Sequence, residues 1–128
     1  MNDRIVTVFY VDDNDRSRRL LTSILAEYGF EIITAADPAE ALRRCGEISF
    51  DLALLDYEMP LLTGSQLAQH MKLIVPEIPV VLISGHSVLP EQDLTFVDAH
   101  FGYGTTLDDL VDTMRRLTKS KHPGRVNG

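Results

Sequence analysis

The sequence has one cysteine and no tryptophan, and it contains no long apolar run. A lone Cys45 rules out an internal disulfide framework and fits a reducing compartment, so we expect a cytoplasmic protein. Crossing a bilayer takes about 20 consecutive apolar residues, and no stretch approaches that length. The first residues lack the basic, apolar and small-residue sections of a signal peptide. The sequence therefore predicts neither a membrane protein nor a disulfide-stabilised secreted one.

Positive charge is also scarce. Lys and Arg number 12 against 19 Asp and Glu, which gives a net charge of −7. This balance disfavours direct binding to nucleic acid. A chain of 128 residues is enough for one domain with one core. We assign residues 1–119 to that domain and residues 120–128, which contain Pro and Gly, to a flexible basic tail or the start of a linker.

Strand-like and helix-like segments alternate along the chain. Apolar or β-branched runs predict strands at residues 5–11, 30–35, 52–55, 80–83 and, more weakly, 99–103. Apolar spacing of three and four predicts helices between them and after the last strand, but residues 90–95 support only a short or irregular fourth helix. In the first helix the expected apolar face is Leu20, Leu21, Ile24, Leu25 and Tyr28. This order predicts an α/β fold with a parallel sheet and helices on both faces.

Polar side chains follow several of these strands where each one ends. Asp12, Asp13, Asp56, Ser84 and Tyr103 should meet at one edge of the parallel sheet. Individually, the aspartates could cap helices or lie in solvated loops, and Ser84 could be a turn residue. Jointly they favour a site, since three adjacent carboxylates repel one another unless a cation or a proton intervenes. Carboxylate oxygens suit Mg²⁺, and Asp56 could then attack a phosphoryl donor.

In order and spacing these residues resemble the receiver domain of two-component response regulators. The resemblance spans about residues 5–118 and rests on the acidic pair, on Asp56, on the Met-Pro and glycine of the next loop, and on the serine after strand four (Asp12, Asp13, Asp56, Met59, Pro60, Gly64 and Ser84). It implies a flavodoxin-like, doubly wound sheet of five strands in the order 2-1-3-4-5. The partners it implies are a sensor histidine kinase or phosphotransfer protein and an unidentified downstream protein.

The resemblance also implies roles for individual residues. Asp56 would be the phosphoacceptor. Asp13, Asp56 and the backbone carbonyl of Glu58 would bind Mg²⁺ directly, and Asp12 would act through water. Ser84 would be the switch hydroxyl that moves toward the phosphoryl group. Glu58 and His86, two residues beyond Asp56 and Ser84, stand at positions that tune hydrolysis of the acyl phosphate in that family.

Two positions depart from the family pattern. Tyr103 and Gly104 stand where the family has Lys-Pro, which removes a cation that would pair with the phosphoryl oxygens. We predict a trans bond between them, because cis costs about 3 kcal/mol without proline. His100 stands where an aromatic switch residue is usual. It could fill that slot, although the interpretation we favour is a partly exposed strand residue with no switch role.

The shortened fourth-helix region affects the surface that most receivers use for dimers and outputs. A homodimer is therefore left open. The sequence also leaves open whether the chain is a stand-alone regulator or the receiver of a longer protein.

Two functions fit these observations. One is a Mg²⁺-assisted phosphoacceptor with an atypical switch, which is not an enzyme except that it catalyses its own phosphorylation and dephosphorylation. The other is a phosphorylation-independent pseudo-receiver that acts as a protein–protein interaction module. The acidic cluster favours the first, and Tyr103 and Gly104 favour a weakened switch. A phosphotransfer enzyme for small substrates is disfavoured for lack of a dedicated general acid, and a flavin-binding protein for lack of a Gly/Ser/Thr loop after strand one.

Overall fold

A computed structural model of the protein describes residues 4–102 and 104–126, with side chains described through residue 119. Five parallel strands form one sheet in the order β2-β1-β3-β4-β5; they are β1 Thr7–Val11, β2 Glu31–Ala35, β3 Leu52–Asp56, β4 Val80–Ile83 and β5 Ala99–Phe101. The helices are α1 Asp15–Glu27, α2 Pro38–Cys45, α3 Gly64–Ile74 and α4 Leu107–Val126. The predicted flavodoxin-like order 2-1-3-4-5 is confirmed. Within the described ranges, no helix combines the length and apolar character that a bilayer span requires.

Side-chain alternation along the central strands creates two cores, one on each face of the sheet. Phe9 and Val11 of β1 point toward α2 and α3, where they join Ala41 and Leu67. Alternate residues of the same strand point toward α1 and α4, in a core that includes Val8, Tyr10, Leu25 and Met114. Because both faces are covered, β3 is apolar almost throughout and only its last residue, Asp56, is partly exposed. That aspartate marks the carboxyl edge of the sheet.

Side-chain caps fix where the helices begin. Asn14 accepts a hydrogen bond from the Ser17 N–H at the start of α1. Asp37 caps α2 in the same way ahead of Pro38. Thr63 forms a reciprocal capping box with Gln66 at the start of α3. Each cap lies at the carboxyl edge of the sheet. The caps therefore fix the residue at which each loop ends and the next helix begins.

The fourth crossover contains no α-helix among the described residues, as predicted. A single 3₁₀ turn, Glu91–Leu94, occupies it instead. At the other end of the chain, α4 continues to Val126, into the residues 120–128 that we assigned to a flexible basic tail or the start of a linker. The apolar periodicity that marked this helix ends at Leu117 because it records only the part packed on the sheet. The domain boundary at residue 119 stays a prediction.

The expected apolar face of α1 is partly wrong. Leu25 is fully buried, but Leu20 is 61% exposed and Tyr28 is 37% exposed. Helical spacing identifies the residues that share a face and does not say how far the sheet extends beneath them. Leu20 lines a cavity beside the residues of the candidate site.

Candidate functional site

The strand ends bring three carboxylates together. Asp12 and Asp13 follow β1, and Asp56 is the last residue of β3, which pairs with β1 in the sheet. One oxygen from each of these three side chains lies within 4.8 Å of the others. Asp12 is only 4% exposed, Asp56 is partly buried and Asp13 is exposed. The sequence thus correctly identified residues that converge at one edge of the sheet.

The electrostatics of Asp56 follow from this crowding. Burial raises the pKa of Asp56 to about 7, with further upward contributions from Asp12 and Asp13, while a hydrogen bond from the Glu58 backbone N–H opposes the rise. A divalent cation would offset the repulsion among the three carboxylates and would favour the ionised form of Asp56. Oxygen donors of this kind, without cysteine or histidine among them, fit Mg²⁺. The residues present therefore fit the ion that the sequence predicts.

The orientation of Asp12 is set by three neighbours. The Tyr10 hydroxyl donates to Oδ2 at 2.6 Å, and the Asn14 N–H donates to Oδ1 at 2.9 Å. The Arg18 guanidinium donates to the Asp12 main-chain carbonyl at 2.7 Å. Burial, reinforced by Asp12, raises the pKa of Tyr10, so its phenol stays a donor. The arrangement leaves the Asp12 carboxylate with little rotational freedom.

Ser84 lies in a second hydrogen-bonded group beside the cluster. Its hydroxyl donates to the His86 carbonyl at 2.9 Å, and its oxygen lies 3.0 Å from Nε2 of His100. When the Ser84 proton is directed to the His86 carbonyl, the His100 tautomer that satisfies the second contact carries its proton on Nε2. Burial lowers the pKa of His100, which favours its neutral ring. The serine after β4 is thus joined to β5, sixteen residues away.

An exposed contact spans the segments that follow β3 and β4. Nε2 of His86 lies 2.7 Å from Oε2 of Glu58, and both side chains are more than half exposed. The neighbouring Tyr57 hydroxyl donates to Asp93 of the 3₁₀ turn at 2.7 Å. These two contacts tie the loop after Asp56 to the segment that replaces the fourth helix.

A cavity of about 310 Å³ opens beside the acidic cluster on the α1 face of the sheet. Its polar wall comprises Tyr10, Asp12, Asp56 and Ser84, and α1 supplies apolar side chains that include Leu20. The cavity therefore reaches both the carboxylates and the switch hydroxyl expected from the sequence.

The structure places the predicted site residues in two neighbouring groups, apart from one residue that it does not describe. Asp12, Asp13 and Asp56 form the cluster, and His100 and Ser84 are in contact beside it. Tyr103, and with it the predicted trans bond to Gly104, lies outside the described residues. The roles of all these residues, including the Glu58 carbonyl, stay predictions.

Two residues near the cluster were missed or undervalued by sequence reasoning. Tyr10 lies within the strand predicted at residues 5–11, and neither it nor Arg18 was identified as a site residue from the sequence. A signal for Tyr10 was present, since residue 12, directly after β1, continues the alternation that places residue 10 on the same side, and a buried phenol needs a hydrogen-bond partner. Arg18 had no comparable signal, because exposed arginines on a helix are common.

Comparison with known proteins places the chain in a family. A family model for the response regulator receiver domain matches residues 8–100, more than half of the chain. The autoinducer 1 sensor kinase/phosphatase LuxN of Vibrio campbellii is 30% identical over 112 residues, covering 86% of this chain and 13% of LuxN. The transcriptional regulatory protein GlrR of Escherichia coli is 29% identical over 91 residues, covering 71% of this chain and 20% of GlrR. The chain spans about an eighth to a fifth of the curated relatives it matches.

Solved structures agree with this assignment. The response regulator TrrA of Thermotoga maritima, crystallised with Mg²⁺ and BeF, superposes with a TM-score of 0.82 at 27% identity, covering 88% of this chain and 99% of TrrA. TrrA in complex with the histidine kinase ThkA gives a TM-score of 0.80, also at 27% identity, covering 88% of this chain and 98% of TrrA. The sheet order, the strand-end residues and the family match agree, and the chain belongs to the response regulator receiver domains of two-component systems.

Proposed function

We propose that this receiver domain is a Mg²⁺-assisted phosphoacceptor whose nucleophile is Asp56. The observation that carries the proposal is the meeting of three carboxylates at the ends of β1 and β3, with the Ser84 hydroxyl on the same cavity wall. TrrA, at 27% identity, was crystallised with Mg²⁺ and BeF, which supports the same chemistry here. The pKa of Asp56 is about 7, so part of this carboxyl is protonated near neutral pH. A bound cation would favour the ionised carboxylate, which is the nucleophile.

The transfer step can be written for a phosphohistidine donor. A carboxylate oxygen of Asp56 attacks phosphorus as the P–N bond breaks, which gives an acyl phosphate and leaves the electron pair on the donor imidazole. When bound, Mg²⁺ supplies positive charge that offsets the negative charge of the transferring group. Asp13, Asp56 and the Glu58 carbonyl would hold the ion directly, and Asp12 would hold it through water. The acyl phosphate later hydrolyses in the same site, and the domain acts on no other substrate.

Ser84 and His100 form the proposed switch. To reach a phosphoryl oxygen, the Ser84 proton must leave the His86 carbonyl, which it contacts at 2.9 Å. His100 does not compete for that proton, because its own Nε2–H is the donor to Ser84. The contact can therefore persist while the serine turns, so that β5 follows the state of Asp56. This gives His100 the role that we regarded as the less favoured one from sequence.

The donor is a sensor histidine kinase or a phosphotransfer protein. LuxN is named as a sensor kinase, and TrrA has been crystallised with the kinase ThkA. The site of action we propose is the cytoplasm, and the downstream protein and a homodimer stay open.

The proposed function is tested by incubating the protein with Mg²⁺ and a small phosphodonor, or with beryllofluoride. The expected result is one added phosphoryl group by intact mass, and Mg²⁺-dependent amide shifts on addition of beryllofluoride. The Asp56→Asn variant is the matched control and should gain no mass. If the wild type shows neither a mass change nor a Mg²⁺-dependent shift, the phosphoacceptor is refuted.

The second candidate is a pseudo-receiver that binds a protein partner independently of phosphate. It is favoured by the sequence at Tyr103 and Gly104, where the family's lysine and proline are absent. A dianionic phosphoryl group then lacks one charged partner, and a charge-assisted hydrogen bond contributes about 1.5–3 kcal/mol. Normal partner binding by a protein that takes no phosphoryl group would support this candidate.

The switch makes a separate prediction for His100→Phe. The variant should still be modified at Asp56, but the amide shifts that beryllofluoride produces across β5 should fall to less than half of the wild-type values. The physical reason is the loss of the hydrogen bond between Ser84 and β5. His70→Phe is the control, since His70 is exposed on α3 and its Nδ1 lies 2.9 Å from the carbonyl oxygen of Gln66 on the same helix. Unchanged β5 shifts in His100→Phe would contradict the switch.

A further inference from the structure

Tyr10 is a buried tyrosine with its hydroxyl beside the acidic cluster. It is 1% exposed and packs in the core between the sheet and the helices α1 and α4. Core packing at this position requires only an apolar ring, whereas the hydroxyl needs a partner. Its partner is Oδ2 of Asp12, at 2.6 Å. The Tyr10 hydroxyl is therefore a polar group at the border of an apolar core, where it contacts Asp12 of the acidic cluster.

The second oxygen of Asp12 is also held. Oδ1 accepts the Asn14 N–H at 2.9 Å, so each carboxylate oxygen has one protein donor. A carboxylate oxygen has two acceptor positions, and one on each oxygen is left for a cation or its bound water. The cavity that Tyr10, Asp12 and Asp56 line gives the carboxylate room to turn away from the cluster if a donor is lost.

We propose that Tyr10 is a positioning residue for the cation site, where its hydroxyl fixes the Asp12 carboxylate in the orientation that Mg²⁺ binding requires. The inference rests on the proposed function, because it assigns a residue to that metal site. In this role Tyr10 acts through Asp12, to whose Oδ2 its hydroxyl donates. Partners that orient metal-binding side chains typically contribute about 10- to 100-fold to metal affinity.

The first test is Mg²⁺ affinity, measured by NMR titration of the Asn14 amide. Tyr10→Phe keeps the ring and removes one oxygen atom, and we expect Mg²⁺ to bind about 10-fold more weakly. Tyr28→Phe is the matched control, since it also removes a phenol that donates to a carboxylate, here Asp108 at 3.2 Å, which lies outside the cluster. That control should change the Mg²⁺ affinity by less than about twofold.

A double-variant cycle separates positioning from a purely structural role. In an Asp12→Ala background, adding Tyr10→Phe should change Mg²⁺ affinity by less than about twofold, because the side chain on which Tyr10 acts is gone. A 10-fold loss that persists in this background would overturn the inference. Tyrosine labelled with ¹³C at Cζ in the wild-type chain gives a measurement that requires no variant. The Tyr10 resonance should shift on Mg²⁺ binding, while that of Tyr28, which contacts Asp108, should not.

The outcomes distinguish this inference from the proposed function. Wild-type protein that fails to bind Mg²⁺ overturns both. Wild-type protein that binds Mg²⁺, with Tyr10→Phe equal to it and no shift of the Tyr10 Cζ resonance, overturns the positioning role alone.

Discussion

The Asp56→Asn variant is expected to be about 2 kcal/mol more stable than the wild type at pH 8 without divalent cations. In the folded protein the pKa of Asp56 is about 7, chiefly because the carboxyl is buried and then because Asp12 and Asp13 lie beside it. In an unfolded chain the pKa of aspartate is about 3.9. Between these values the folded protein holds a proton that the unfolded chain has released, so a rise in pH favours unfolding.

The stability of the wild-type protein should fall as the pH rises. The stabilisation from a protonated Asp56 is complete below about pH 4 and is lost as the pH rises through 7. The separation of the two pKa values corresponds to about 4 kcal/mol, and partial exposure of the side chain reduces the expected effect to about 2 kcal/mol. Asparagine cannot ionise and keeps its stability over this range.

Urea unfolding at pH 4 and pH 8 measures this difference. The two proteins should be nearly equal at pH 4, which serves as the internal control, and should diverge by pH 8. Saturating Mg²⁺ should reverse the order, since a ligand at 100 times its Kd adds about 2.7 kcal/mol to the protein that binds it. Equal unfolding free energies at pH 8 without Mg²⁺ would show that ionised Asp56 does not destabilise the folded protein.

Gly64→Ala is expected to lower the free energy of unfolding by about 3 kcal/mol and to slow phosphorylation of Asp56. A Cβ at this position would lie 2.5 Å from the Asp56 carbonyl oxygen and 2.7 Å from Cδ1 of Leu82. The Gly64 N–H also donates to the Tyr57 carbonyl at 2.8 Å, so the start of α3 is held against the end of β3. The added methyl must push the helix away from the strand that presents the phosphoacceptor.

Gly85→Ala is the matched control for this prediction. A Cβ at Gly85 meets nothing within 4 Å, although the residue also lies in a loop beside the site. Urea unfolding gives the stability change, and the rate of modification by a small phosphodonor gives the effect on Asp56. If the Gly64 and Gly85 variants behave alike, the close contact between α3 and β3 is not a constraint.

The sequence predicted the parts of the molecule that depend on local pattern. The strand ends at Asp12, Asp56 and Ser84 could be read directly, because an apolar run that stops on a polar residue marks the edge of a covered parallel sheet. The caps at Asn14 and Asp37 follow from side chains that satisfy free backbone N–H groups.

Contacts across the fold could not be predicted in this way. The bond between Ser84 and His100 depends on the pairing of β4 with β5, a strand of three residues with weak sequence signals. The exposure of Leu20 depends on where the sheet ends beneath α1, which helical periodicity does not record. The hydrogen bond from Tyr10 to Asp12 follows from the sequence only if the hydroxyl of a buried tyrosine is assigned a nearby acceptor.

The pair formed by Glu58 and His86 has a mechanical consequence. It joins the segment after the phosphoacceptor to the segment after the switch serine, so neither loop can swing outward unless this contact breaks. Exposed pairs of this kind contribute at most about 1 kcal/mol, which thermal motion overcomes readily. The contact between Glu58 and His86 is therefore only a weak restraint on the relative position of these two loops.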